Sequence, residues 1–149
     1  MKRIVVALVT VVALFLSGGA VQAKGSDKPF VSLSVTPDVL DLGTLPFFTN
    51  IYEPPATLTV KVASNCYHGP IVVSMTGLKH NKIGGTITPD RILINGPATG
   101  GFVPMAKPVA VSKPTTGPHD ILLEFKVENK FKDIAGKYTG TIIFTIMPP

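Results

Sequence analysis

The chain has 149 residues with 14 Lys and Arg against 9 Asp and Glu, and its basic residues are scattered rather than run together, which excludes the clustered footprint of a nucleic-acid binder. With 14 Gly and 14 Pro, no stretch keeps the helical apolar period for three turns, so helical bundles are excluded as well. Cys66 is the single cysteine, which rules out a framework of internal disulfides.

Lys2 and Arg3 form a positive head, residues 4–16 are apolar apart from Thr10, and residues 17–23 are small and polar, ending Val21-Gln22-Ala23. This pattern reads as a secretory signal peptide covering residues 1–23, with cleavage after Ala23. The apolar stretch is short for a bilayer span, and no cysteine follows it to accept a lipid. Residues 24–149 then form one domain, exported to the periplasm, the cell surface or the medium, whose net charge is lower by the two lost basic residues.

After a polar leader, residues 30–35 alternate Val31, Leu33 and Val35 against Ser32 and Ser34 and read as a first strand. Thr36-Pro37-Asp38 breaks it, because proline lacks the ladder N–H, and a second strand runs over residues 39–45. Residues 47–56 form a loop with Phe47, Phe48 and Tyr52. Residues 57–63 carry Leu58, Val60 and Val62 on one face, and residues 71–76 carry Ile71, Val73 and Met75. The short polar link between these two predicts an antiparallel hairpin. Residues 87–95 hold a strand pair or one bent strand around Thr88-Pro89-Asp90, residues 96–108 are the longest irregular segment, and residues 109–112 are a short edge strand. Residues 120–128 point Ile121, Leu123, Phe125 and Val127 inward, with Asp120, Glu124, Lys126 and Glu128 outward.

The closing stretch, residues 136–147, is the longest strand signal. Tyr138, Ile142, Phe144 and Ile146 share one face with Gly140, while Thr139, Thr141 and Thr145 take the other. A strand with one apolar face needs a second sheet to cover it. Seven to nine such short strands, separated by turn signals, describe an all-β, immunoglobulin-like antiparallel β-sandwich. Val35-Thr36-Pro37-Asp38 and Ile87-Thr88-Pro89-Asp90 also echo each other, which the shared chemistry of a Pro-Asp break explains without a repeat architecture.

The segment Gly136-Lys137-Tyr138-Thr139-Gly140-Thr141-Ile142 resembles the closing strand of secreted bacterial immunoglobulin-like modules of the fimbrial-subunit and spore-coat protein U kind. Val35 to Leu45, with its Pro followed by Leu-x-Leu-Gly, is similar to their opening strands. The resemblance implies surface assembly, adhesion or periplasmic scaffolding. Fimbrial subunits usually carry a disulfide, and this chain departs from them in having one cysteine. Independently, a tyrosine at the start of a late sandwich strand either bonds back to upstream backbone at a sheet corner or leaves its hydroxyl in water, and Tyr138 is open to both.

Chemistry-bearing residues are few. Cys66 and His68 share one turn, with Met75 seven residues beyond His68, but Met75 falls on an apolar strand face and core packing accounts for it. His80 and His119 sit beside polar turn residues, where exposure is expected. No carboxylate pair, nucleophile motif or phosphate loop is present, so no enzyme activity, metal or cofactor is expected. Phe47, Phe48 and Tyr52, with Phe102 in the second irregular loop, are the candidate contact residues. The reading is therefore a secreted structural or adhesion module working through protein contacts or self-assembly, its terminal strands offering sheet edges. The alternative is a carbohydrate-binding module using the loop aromatics.

Overall fold

The computed structural model describes residues 3–11, 28–45, 55–82, 84–130, 133–134 and 136–146. In chain order the strands are β1 (Arg3–Val11), β2 (Val31–Thr36), β3 (Val39–Leu45), β4 (Ala56–Ser64), β5 (Tyr67–His68), β6 (Ile71–Met75), β7 (Leu78–His80) and β8 (Thr86–Ile87). A 3-10 turn, Pro89–Arg91, leads into β9 (Ile92–Asn95), β10 (Val103–Pro104), β11 (Val109–Ala110), β12 (Thr115–Thr116), β13 (His119–Val127) and β14 (Tyr138–Ile146). The molecule is an all-β sandwich. The strands beyond the sequence-based expectation are mostly two-residue bridges, too short for alternation to reveal.

One sheet runs β10-β9-β13-β4-β2. The other runs β11-β6-β14-β1-β3, with β7 joined to β14 and β8 to β7, and a separate ribbon pairs β5 with β12. Every described pairing is antiparallel except β1 with β14.

The predicted hairpin between residues 57–63 and 71–76 does not form. β4 lies in the five-stranded sheet between β13 and β2, whereas β6 lies in the other sheet beside β14. Both strands own a buried face, and placing them in different sheets lets each contribute that face to the core from its own side. The link between them spends its length on β5, which pairs with β12.

The Thr-Pro-Asp echo marks the same manoeuvre twice. Thr36-Pro37-Asp38 carries the chain from β2 in the five-stranded sheet to β3 in the seven-stranded one, through a cis Thr36–Pro37 bond. Thr88-Pro89-Asp90 carries it back, from β8 to β9, as a 3-10 turn with proline at its start. Proline ends ladder pairing at each place, which frees the chain to change sheets. At the second turn the Thr88 side chain hydrogen-bonds the Asp90 carboxylate and holds its pKa below the usual carboxylate value.

Most of the expected inward residues are buried, while Ile146 and Val31, Leu33 and Val35 are half-buried against the core. Leu58, Val60 and Val62 of β4, Ile71 and Val73 of β6, Ile121, Leu123, Phe125 and Val127 of β13, and Tyr138, Ile142 and Phe144 of β14 are all buried in one cluster with Leu40 and Leu42 of β3. Beside the core lies a buried ion pair that sequence reading did not signal. The Arg91 guanidinium donates from Nη1 to Asp133 Oδ1 at 3.0 Å, from Nη2 to Asp133 Oδ2, and from Nη2 to the Glu128 carbonyl at 2.7 Å. The side chains of Arg91 and Asp133 are 6% and 7% exposed. Such forked, charge-assisted contacts compensate the cost of burying two charges.

Phe144 is fully buried at the centre of the β14 face and Thr145 is half-buried on the other side. Phe144→Ala is expected to cost about 3–5 kcal/mol, and Thr145→Ala about 1 kcal/mol or less. Denaturant melts of the two variants compare the faces within one strand, and a reversed order would mean that the strand register is shifted by one residue.

Candidate functional site

The site with the most unusual construction is the slot between β14 and β3. Its filler is β1, drawn from the segment that sequence reading assigns to a leader. The backbone of β1 runs parallel to β14 over seven consecutive pairs, Val5↔Tyr138 to Val11↔Phe144. On its other side it runs antiparallel to β3, from Arg3↔Leu45 to Leu8↔Val39, with an irregularity between Val5 and Val6. β3 has no other strand neighbour among the described residues. The walls of the slot are already anchored: Leu40 and Leu42 of β3, and Tyr138, Ile142 and Phe144 of β14, have their side chains in the core.

At the mouth of the slot Tyr138 makes a corner. Its ring is 2% exposed and its hydroxyl donates to the Ile134 carbonyl at 2.8 Å, four residues upstream. Of the two alternatives left open by the sequence, the backbone-bonded one is observed. His80 of β7 packs edge-on against the Tyr138 ring, with centroids 5.0 Å apart and planes at 90°. Gly136 makes this possible. Its φ is 157°, and a Cβ there would fall 1.9 Å from His80 Nε2. Gly140, on the inward side of β14, has no room for a side chain either, since a Cβ would lie 2.7 Å from Leu78 Cδ2.

Phe47, Phe48 and Tyr52 lie outside the described residues. Phe102 is half-buried, with the Lys126 ammonium 4.4 Å from its ring centre, so this aromatic engages a cation of β13. Among the described residues the exposed aromatics are Phe30, at 49%, and Tyr67, at 57%. They flank the turn of Cys66, whose Sγ lies 3.6 Å from the Phe30 carbonyl and whose N–H donates to Ser64 Oγ at 3.2 Å.

Met75 is in the core, as expected from its strand face, and among the described residues no group of three or more His, Cys, Asp or Glu could hold a metal ion. His68 instead meets His119. The expected exposure of His119 is corrected by the structure: it opens β13, is half-buried, and lies beside a His68 that is 2% exposed. The ring centroids are 5.5 Å apart and the planes differ by 7°. Nothing local signals this pairing. It arises because β5 pairs with β12, Thr115↔His68, while β13 aligns His119 with Val62 of β4.

No known protein family matches this chain, and no curated protein matches it significantly. No described helix is long and apolar enough to cross a membrane, which says nothing of spans made by strands.

Tyr138→Phe keeps the packing and removes one buried donor, so it is expected to lower stability by about 1–2 kcal/mol in a thermal melt. Gly136→Ala should cost more than Tyr138→Phe in the same assay, because the added methyl displaces the His80 ring from Tyr138. Equal or smaller loss for Gly136→Ala would mean that the corner is not closed by His80.

Proposed function

We propose that the chain is exported, loses residues 1–23, and acts as a non-enzymatic structural or adhesion module that accepts a strand from a protein partner or from a second copy. The observation that carries this reading is the position of β1. Cleavage after Ala23 would remove the whole of β1, leaving β3 and β14 with facing rows of unpaired backbone groups. Such paired edges recruit an added strand, main-chain hydrogen bonds providing affinity and alternate side chains providing specificity. The resemblance of the closing strand to secreted immunoglobulin-like modules of surface assemblies supports the same reading.

Two measurements test it. Mass spectrometry of the exported protein should find Lys24 at the N-terminus, and an intact Met1 in exported material would refute the leader. The full chain, made without export, should then be compared with residues 24–149. The shorter chain is expected to self-associate, or to be isolated with a strand-donating partner. Where monomeric, its β14 amides should exchange faster with deuterium than those of the full chain. If both chains are monomeric with equal protection of β14, the slot is not a binding site.

A further inference from the structure

The five-stranded sheet ends on β2, which has no strand neighbour on its outer side among the described residues. The directions of its backbone groups follow from its first contact with the neighbouring strand. The Asn65 N–H donates to the Phe30 carbonyl at 3.3 Å, and the Phe30 N–H donates to Asn65 Oδ1 at 2.8 Å, so Phe30 turns its backbone toward the β4 side. Pairing then runs from Val31↔Ser64 to Thr36↔Thr59 without a bulge. Successive residues of a strand turn their backbone groups alternately. Val31, Leu33 and Val35 therefore present their N–H and C=O groups outward.

The other sheet edges are guarded. β8, β10 and β11 are two residues long, with Pro104 in β10 and Pro108 just before β11, and β3 carries Asp41. Short strands, prolines and charges are the devices that keep an edge from pairing. β2, Val31–Thr36, has six residues and neither a proline nor a charge among them.

The sequence of this edge fits a second copy of itself. Residues 28–38 read Lys-Pro-Phe-Val-Ser-Leu-Ser-Val-Thr-Pro-Asp, and Val-Ser-Leu-Ser-Val is the same in both directions about Leu33. An antiparallel copy related by a two-fold axis at Leu33 sets Val31 opposite Val35, Ser32 opposite Ser34 and Leu33 opposite Leu33. Pro29 falls opposite Pro37, so the paired stretch is bounded alike at both ends. Val31, Leu33 and Val35 are half-buried on the core side and meet the same three residues of the second copy. Phe30, at 49% exposure, lies opposite Thr36 of the second copy, an aromatic and β-branched cross-strand pair. Beyond the prolines, exposed Lys28 meets exposed Asp38 of the second copy at each end, so the charges are complementary too. The residues whose backbone groups face outward are the ones this register pairs, Val31 with Val35, Leu33 with Leu33 and Val35 with Val31, each exchanging N–H and C=O.

We propose that two copies of the chain join edge to edge along β2, in an antiparallel two-fold pair that makes their five-stranded sheets one continuous sheet. The contact lies in the sheet that does not contain the slot between β14 and β3, and it does not require loss of residues 1–23. The shared surface is narrow, so the dimer is a reversible one.

Sedimentation equilibrium of the full chain under reducing conditions should show a monomer–dimer equilibrium. The Val31, Leu33 and Val35 amides should exchange with deuterium about tenfold or more slowly in the dimer than in the monomer. Lys28→Glu sets acid against acid at both ends and should weaken the dimer about tenfold. The double variant Lys28→Glu/Asp38→Lys should restore it. Leu33→Pro removes the central N–H donors at an outward-facing edge position, where proline is tolerated, so it should melt cooperatively and stay monomeric. The charge pair decides the matter even if Leu33→Pro does not fold. A full chain that is monomeric to about 1 mM would overturn the proposal. So would a dimer whose outward β2 amides exchange at the monomer's rate, or a double variant that pairs no more tightly than Lys28→Glu.

Discussion

The two sheets are held together by apolar side chains alternating inward from each, and everything else in the molecule is arranged around keeping those faces opposed. β13 supplies Ile121, Leu123, Phe125 and Val127, and β14 supplies Tyr138, Ile142 and Phe144. No covalent link between the sheets helps them, since Cys66 is alone in the chain and free. Facing side chains must therefore fit closely, and a glycine at position 140 is part of that fit, because it lets Leu78 approach the strand. The chain repeatedly leaves one sheet for the other, so most of its turns are crossings rather than hairpins, and each crossing must end ladder pairing cleanly. Thr-Pro-Asp does this at two of them.

Much of this was legible in the sequence because a half-buried strand writes its facing in alternate residues. The inward sets of β4, β6, β13 and β14 follow directly from that period. What alternation does not encode is which strand lies beside which. The link from β4 to β6 has the length and polarity of a hairpin loop, yet the two strands lie in different sheets. Short bridges such as β5 with β12 are invisible for the same reason, and with them the meeting of His68 and His119. The Arg91–Asp133 pair joins residues distant in sequence, and each alone looks like an ordinary turn charge.

The N-terminal segment shows a different limit. Its positive head, apolar run and small-residue end have the pattern that the proposed export reading rests on. In the structure the backbone of residues 3–11 runs between β14 and β3. These are compatible properties of one stretch rather than competing ones. Among the described residues β3 is held in its sheet through that strand alone, so removal of the segment, as proposed, would leave β3 without a strand neighbour.

The Arg91–Asp133 clasp has a bearing on how the molecule opens. It ties the crossing from β8 to β9 to the segment that follows β13, and the Glu128 N–H reinforces it by donating to the Arg91 carbonyl at 2.8 Å. Asp133 also accepts from the Lys130 N–H at 2.7 Å, so the carboxylate organises its own loop as well as the distant turn. Neither segment can detach singly without stranding a buried charge. The two crossings therefore form a single cooperative unit of local unfolding, although they lie on opposite sides of the β9 to β13 stretch. A fluctuation that begins at the 3-10 turn is transmitted to the approach to β14, and the Tyr138 corner, whose acceptor Ile134 follows Asp133 directly, belongs to the same unit.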